Sequence, residues 1–240
     1  MDYEHWYISM KNNYGLLPNI RGWFKELNEH YNLIEVSFFA DFSHKSLADE
    51  IGRIRQFTNK IIDTRSPNGV QKDFTDFIIL DNIYQKALSS DDIDTFILFS
   101  GDGHFSSAAA FLKNFYRKNV VVYGVNGSFS KQLRDTASSF RVVPDAEELN
   151  ESCYGMIFDY LRTSRSPSYS EAIKTVLTKT RGGNEKKQQV VKAMKSLADA
   201  GIISERSLPD GKGKKKTMLF VDWDKAAESG YLNEPDAVPQ

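Results

Sequence analysis

The sequence has little of several features that define common protein classes. It contains one cysteine, Cys153, among 240 residues, so a disulfide within the chain is excluded. No apolar stretch reaches the length of a membrane-spanning helix, about 18 residues or more. The opening residues, MDYEHWYISMKNN, lack the basic and apolar regions of a secretion signal. These absences are typical of a reducing compartment, and we expect a cytoplasmic location and no membrane partner.

Signatures of several enzyme classes are missing as well. No Gly-x-Gly-x-x-Gly follows a predicted strand, which argues against a dinucleotide-binding enzyme. No lysine stands at the end of VVVYGV, where a phosphoacceptor receiver domain would need one. No Ser-His-Asp or Cys-His arrangement for nucleophilic catalysis is recognisable. Candidate chemistry must therefore come from other residue types.

The charge is unevenly distributed along the chain. The net charge is −1, yet residues 181–216 contain ten Lys or Arg and only four Asp or Glu. A basic segment on an acidic body is typical of a protein with a polyanionic partner. A solvated lysine-rich loop would have the same composition, so both interpretations stay open.

Residues 1–145 alternate short apolar runs with amphipathic helical stretches. Near-continuous apolar runs predict strands that are covered on both faces, as in a parallel sheet. Apolar residues at three- and four-residue spacing predict the helices between them. This order predicts a three-layer α/β sandwich with a mainly parallel sheet. The predicted strands are 33–41, 59–64, 95–100, 120–125 and 140–145.

Residues 146–240 follow a different pattern. Three predicted helices, 146–164, 171–180 and 185–201, precede two strand-like arms. Pro209-Asp210-Gly211 between the arms predicts a hairpin. Three helices followed by a hairpin with a lysine-rich tip resemble a winged-helix domain. We therefore predict a small winged-helix-like domain with a short C-terminal tail.

The stretch FILFSGDGHFSS places an aspartate two residues after the end of a predicted buried strand. Binding sites of open parallel sheets lie outside the carboxyl ends of the strands, where Asp102 falls. Gly101 and Gly103 let the backbone turn sharply and leave room for a ligand. A helix follows, so Asp102 is either a helix cap or one ligand of a metal site.

Two further aspartates are candidates for the same edge of the sheet. Asp2 precedes the first predicted helix, where a first strand would deliver it to that edge. No apolar strand precedes it, so either the chain starts downstream of its native start or the sheet lacks this strand. Asp76 lies near the start of an apolar helix that we expect to be heavily buried, where a lone carboxylate needs a partner.

Convergence of Asp2, Asp76 and Asp102 would be electrostatically costly. Two like charges 4 Å apart repel by roughly 4 kcal/mol at an effective dielectric constant of 20. A bound divalent cation relieves this repulsion, and oxygen ligands favour Mg²⁺ or Mn²⁺. The three carboxylates are therefore candidate ligands of a magnesium or manganese site.

Four segments, in order, resemble the motifs of the NYN domain family of PIN-like nucleases. They are DYEH at 2–5, TDFIILD at 75–81, LFSGDGHF at 98–105 and VVVYGVNGSFSKQLRDTASSF at 120–140. The resemblance implies a PIN-like α/β fold and metal-dependent hydrolysis of RNA. It implies that Asp2, Asp76 and Asp102 form the catalytic metal site. Ser100 matches the serine of the motif and would orient Asp102 or contact a phosphate.

Three positions depart from the family pattern. His104 stands where the family often has a second acid, His5 where it commonly has asparagine, and Ser138 where an aspartate occurs. His104 is either a ligand or proton donor, or a partly exposed residue at the helix rim. Two functions therefore stay open. One is a metal-dependent ribonuclease, and the other is a catalytically impaired NYN protein that acts as a regulator by binding nucleic acid or protein.

Basic residues of the C-terminal domain are candidates for holding the substrate. Lysines at the hairpin tip can bind phosphates without reading bases, and those at the start of the third helix can do so or enter a groove. A winged helix used for protein contacts is the alternative. We expect RNA as the partner, with DNA as an alternative ligand of this domain, and leave homo-oligomerisation open. The predicted nucleic-acid-binding residues are Ser100, Arg181, Lys186, Lys187, Lys212, Lys214, Lys215 and Lys216.

Overall fold

The chain forms two compact units in a computed structural model. One unit comprises Met1–Lys11 and Leu17–Val143, and the other comprises Asn12–Leu16 and Pro144–Gln240. Among the described residues, no helix has both the length and the apolar character that a bilayer span requires. The structure describes residues 1–66, 74–90, 92–179, 184–209 and 215–228.

The first unit alternates strands with helices, as the sequence predicts. Its strands are β1 (Phe38–Ala40), β2 (Ile61–Asp63), β3 (Thr95–Phe99), β4 (Asn119–Val125) and β5 (Ser139–Val143). Its helices are α1 (Tyr3–Tyr14, which runs into the second unit), α2 (Ile20–His30), α3 (Lys45–Ala48), α4 (Ile51–Ile54), α5 (Phe74–Ser89), α6 (Ser106–Asn114) and α7 (Lys131–Thr136). A 3₁₀ turn spans Gly103–Phe105 and leads into α6.

The strands pair in parallel, and Met1–Asp2 lies between their two groups. β1 pairs with β2, while β3, β4 and β5 form a second parallel set. Asp2 forms a parallel bridge with Phe39 of β1, and its amide donates to the Phe99 carbonyl of β3 at 2.9 Å. Two residues thus occupy the place of the first strand that the sequence lacks. The result is a mixed α/β fold with parallel sheets, consistent with a PIN-like fold.

Strand β1 is shorter than predicted, since residues 33–37 lie outside any strand. Ile34 is 61% exposed. The parallel partner β2 is only three residues long, and the residues before Phe38 make single contacts, such as the bond from the Met1 amino group to the Ser37 carbonyl at 2.9 Å.

Helices cover the first unit's sheet with apolar faces. Helix α2 buries Ile20, Trp23, Phe24 and Leu27, at the spacing that the sequence predicts. Helix α5 departs from the prediction of heavy burial, because only Ile79 and Ala87 are buried and Phe77 is 62% exposed. Its apolar residues surround the helix, whereas the sheet contacts one face.

The second unit has three helices followed by an antiparallel hairpin. The elements are α8 (Ala146–Thr163), α9 (Tyr169–Lys179), α10 (Asn184–Asp199), β6 (Ile203–Pro209), β7 (Lys215–Val221) and α11 (Trp223–Glu228). Asp145 and Glu148 form a capping box at the start of α8. Gly201 has a positive φ of 67° just after α10, where a side chain would be strained. The order of elements follows the sequence analysis, and the winged-helix assignment stays a prediction.

Candidate acidic active site

A cavity of about 570 Å³ opens at the carboxyl ends of the strands in the first unit. Asp41, Thr64 and Asp102 follow β1, β2 and β3, respectively, and all of them line it. This is the edge at which parallel sheets usually bind ligands. A second cavity, of about 560 Å³, contains none of the three predicted acids. The lining of the first cavity includes Asp2, Glu4, His5, Asp41, His44, Thr64, Arg65, Thr75, Asp76 and Asp102.

Asp2 is buried at the inner wall of this cavity, with 5% of its surface exposed. Its Oδ1 accepts a hydrogen bond from the His5 amide at 3.0 Å, and its carbonyl accepts from the Trp6 amide. These bonds make Asp2 the cap of α1. Burial raises the pKa of the carboxyl group, and the His5 charge and the hydrogen bonds from His5 and Ser100 offset part of this effect.

Ser100 links Asp2 to the turn that carries Asp102. Its hydroxyl donates to Asp2 Oδ2 at 3.0 Å and accepts from the Asp102 amide at 3.2 Å. The residue is completely buried. A phosphate contact by Ser100 therefore has no support in this geometry, whereas the alternative role of orienting Asp102 does.

Asp76 and Asp102, which line the cavity, form a close group with His104. Asp76 comes from the first turn of α5, while Asp102 caps the 3₁₀ turn by accepting from the His104 amide at 2.8 Å. The His104 Nδ1 lies 3.4 Å from Asp102 Oδ1 and 3.9 Å from Asp76 Oδ2. The ligand atoms of the three side chains all lie within 4.8 Å of one another. Asp102 is thus a cap and also a member of a cluster, and the cluster contains His104 where the sequence analysis has Asp2.

Sequence reasoning missed other ionisable groups of this cavity. Glu4 accepts from the Asp41 amide at 3.2 Å, and burial raises the pKa of Glu4, with the charges of Asp2 and Asp41 adding to the rise. Arg65 also lines the cavity and lies 3.5 Å from Asp63. Asp41 and Arg65 could have been found from their positions at the ends of predicted strands. Glu4 could have been found because it lies within the motif DYEH.

The turn at Gly101 is fixed by close approach of neighbouring groups. A Cβ at Gly101 would collide with the Ser128 carbonyl and with the His5 ring. The His5 Nε2 itself lies 3.1 Å from the Ser128 carbonyl oxygen. His5, which departs from the family pattern, is therefore part of the packing that shapes this turn.

Ser138 lies away from the cavity. Its hydroxyl accepts from the Val120 amide at 3.1 Å, and its own amide donates to the Val120 carbonyl. These contacts are at the amino ends of β4 and β5, opposite the edge that carries Asp102. The departure from the family pattern at Ser138 therefore lies outside the acidic site in this fold.

The predicted phosphate-binding residues of the second unit have different environments. Lys187 is exposed, but Lys186 is only 5% exposed and its Nζ lies 5.9 Å from the centre of the Tyr14 ring. This burial gives Lys186 a packing role and argues against a phosphate contact. Lys215 and Lys216 begin β7, opposite Pro209 and Leu208. Arg181, Lys212 and Lys214 lie outside the described residues.

The first unit thus defines a mixed α/β protein whose acid-lined cavity lies at the carboxyl ends of parallel strands. Residues 1–150 match the NYN domain, and the chain belongs to this family of PIN-like nucleases. A crystal structure of a protein of unknown function from Vibrio parahaemolyticus has a similar fold, with a TM-score of 0.53 and 22% identity. The similarity covers 60% of this chain and 90% of the Vibrio chain. No curated protein matches the sequence.

Proposed function

We propose that this protein is a metal-dependent ribonuclease that hydrolyses phosphodiester bonds of RNA in the cavity of its NYN domain. The observation that carries the proposal is the group formed by Asp76, Asp102 and His104, whose ligand atoms lie within 4.8 Å of one another. Asp2 lines the same cavity. Family membership supports a nuclease, and the geometry supports a place where its chemistry can occur.

The side chains at this cavity fit a divalent cation. Asp76 and Asp102 offer carboxylate oxygens, which Mg²⁺ and Mn²⁺ prefer, and His104 adds a nitrogen donor. Buried Asp2 lines the same cavity as Asp76 and Asp102, and positive charge there would favour its ionised form, which burial disfavours. When bound, the ion would activate a water molecule and stabilise charge on the phosphate oxygens.

Other residues of the cavity hold the reacting groups in place. Ser100 fixes Asp2 and the Asp102 amide relative to each other through its single hydroxyl. The Arg65 guanidinium lines the cavity and is exposed enough to attract a phosphate of the substrate. The hydroxyls of Thr64 and Thr75, 2.7 Å apart, tie the loop after β2 to the start of α5, which carries Asp76.

The second unit would hold RNA through basic residues. Exposed Lys187 and the lysines of the hairpin segment are the candidates, with DNA as an alternative ligand. Replacing Lys212, Lys214, Lys215 and Lys216 with glutamine should weaken RNA binding and flatten its dependence on salt. A binding curve that keeps the slope of the wild type would favour a protein-contact role for this unit. The cytoplasmic location remains a prediction of the sequence.

The proposal is tested by RNA cleavage with Mg²⁺ or Mn²⁺. Asp102→Asn and Asp76→Asn should each lower the rate by at least about 100-fold, the scale of losing one group that stabilises the transition state. Asp81→Asn is the matched control, because Asp81 is exposed on α5 and bonds to Gln85. Equal cleavage by Asp102→Asn and wild type would refute the assignment.

A catalytically impaired NYN protein is the second candidate, and one observation favours it. The His104 Nδ1 lies 3.4 Å from Asp102 Oδ1 and 3.9 Å from Asp76 Oδ2, so the imidazole ring contacts both carboxylates that would otherwise be open to a cation. Such a protein would bind RNA in a salt-dependent way and cleave none of the RNAs offered, with either metal. The Asp102→Asn variant would then bind RNA as well as the wild type does.

A further inference from the structure

The group of ligand atoms at the cavity is not made of oxygen alone. The ring of His104 presents Nδ1 to both carboxylates, at 3.4 Å from Asp102 Oδ1 and 3.9 Å from Asp76 Oδ2. The ring is 66% exposed, so solvent and ions can reach it.

The distances from His104 Nδ1 to the two carboxylate oxygens are compatible with a cation bound by all three side chains, as well as with a direct ion pair. Two ligands on opposite sides of an ion about 2.0–2.1 Å from each lie about 4 Å apart, and adjacent ligands lie about 3 Å apart. Both separations of the His104 nitrogen fall in this interval. The side chains would need little movement to ligate one cation.

The backbone also holds His104 in this place. Its amide donates to Asp102 Oδ1 at 2.8 Å, so the carboxylate that would share the ion also positions the residue that carries the imidazole. The backbone that carries the His104 ring is therefore held close to the Asp102 carboxylate.

A nitrogen ligand changes which ions a site prefers. Mg²⁺ is a hard ion that favours oxygen and keeps its waters, whereas imidazole suits first-row transition metals. Affinity of a mixed nitrogen and oxygen site rises from Mn²⁺ to Co²⁺. We infer that His104 is a metal ligand that makes this site select Mn²⁺ and Co²⁺ over Mg²⁺. The inference rests on the proposed metal-dependent function and specifies the class of ion.

The test is direct titration of the full chain, free of RNA, with MgCl₂, MnCl₂ and CoCl₂ by calorimetry. Wild type should bind Co²⁺ and Mn²⁺ more tightly than Mg²⁺. His104→Asp, which restores an all-oxygen set, should reduce the ratio of Co²⁺ to Mg²⁺ affinity by at least about 10-fold, a loss that even an outer partner of a ligand can cause. His44→Ala is the matched control, because His44 lines the same cavity outside the close group.

A second measurement identifies the ligand itself. The nitrogen-15 signals of the His104 ring, assigned by comparison with His104→Asp, should broaden or shift with Co²⁺ while those of His30 stay unchanged. Circular dichroism of the metal-free variants checks that they fold. Equal Co²⁺ to Mg²⁺ ratios in wild type and His104→Asp, or unaffected ring signals, would overturn the inference.

These outcomes separate the inference from the proposed function. Metal-dependent RNA cleavage with an unchanged ion ratio in His104→Asp would sink the inference alone. Selective Co²⁺ binding through His104 without cleavage of any RNA would sink the ribonuclease proposal alone. Wild type that binds none of the three ions would overturn both.

Discussion

Two sets of carboxylates in the first unit are held in opposite ways. Glu35 accepts from Lys60 Nζ at 2.8 Å and Lys86 Nζ at 3.0 Å, and these lysines lower its pKa to about 2. Asp2 accepts instead from a serine hydroxyl and a backbone amide, and burial raises its pKa. Ionisation of Glu35 therefore stabilises the fold, whereas ionisation of Asp2 destabilises it.

The difference separates a charge that stabilises the fold from charges that the fold holds at a cost in the proposed active site. Glu35 lies beside a cavity that holds none of the candidate catalytic acids, whereas Asp2 and Glu4, both with raised pKa values, line the acidic one. Carboxylates whose ionised form is disfavoured within a cleft are typical of functional sites, which often sacrifice stability for activity. The predictions below compare the two sets.

The largest expected effect concerns activity. Asp2→Asn should lower RNA cleavage by at least about 100-fold, because it removes a negative charge from the metal cavity while keeping the shape of the side chain. Glu35→Gln should leave the rate within about twofold of wild type, since its contacts are to lysines outside the cavity. Initial rates at saturating Mn²⁺ compare the two variants. Equal losses would mean that the two sets do not differ in function.

The next effect isolates the bond between Ser100 and Asp2. Ser100→Ala should lower the free energy of unfolding by about 1–3 kcal/mol, because the buried carboxylate loses a donor and the Asp102 amide an acceptor. In an Asp2→Asn background the same change should cost less, since the neutral amide needs the hydroxyl less than an ion does. Urea unfolding of the four proteins gives the coupling. Additive losses would show that the hydroxyl does not serve the charge of Asp2.

The sequence predicted the acidic edge because its signals are local. An apolar run followed by Ser-Gly-Asp shows where a strand ends, and in a parallel sheet such ends share an edge, as Asp102 demonstrates. Asp76 was predicted from its position near the start of an apolar helix. Asp2 was a candidate from its place before the first predicted helix, and the family motif supported it, although a two-residue segment between strands has no apolar pattern of its own.

Other features depended on three-dimensional information that residue spacing does not carry. The register of β5 against β4 places Ser138 at the far edge, and it is fixed by pairing rather than by the letters ASSF. Phe77 is exposed because the sheet contacts one face of a helix whose apolar residues surround it. The burial of Lys186, in contrast, could have been predicted from residue spacing. Lys186 precedes Val190 by four residues and so continues the apolar stripe of α10.

A smaller effect concerns stability at Asp2. The pKa of Asp2 is raised by folding, so the native state binds the proton more tightly than the unfolded chain does. Its contribution to stability is therefore greatest at low pH and is lost as the pH rises through the folded value. Asp2→Asn should be more stable than wild type at pH 7.5, where burial disfavours the ionised carboxyl group, and the difference should shrink at pH 4. Urea midpoints at both pH values measure this, and a lower stability of the variant at pH 7.5 would contradict it.

The smallest effect has the opposite sign and belongs to Glu35. Folding lowers its pKa from 4.5 to about 2, so its stabilising contribution is complete above pH 4.5 and disappears as the pH falls toward 2. Glu35→Gln should lower the free energy of unfolding by roughly 1 kcal/mol at pH 7, since both ion pairs are partly exposed to solvent and screened. The deficit should shrink in 1 M salt and vanish near pH 2. Glu29→Gln is the control, because Glu29 has only an exposed pair with Lys25 at 4.0 Å and its loss should change stability by at most about 0.5 kcal/mol. A deficit in Glu35→Gln that persists at pH 2 would mean that packing, rather than charge, makes this carboxylate stabilising, and the contrast with Asp2 would then not be electrostatic.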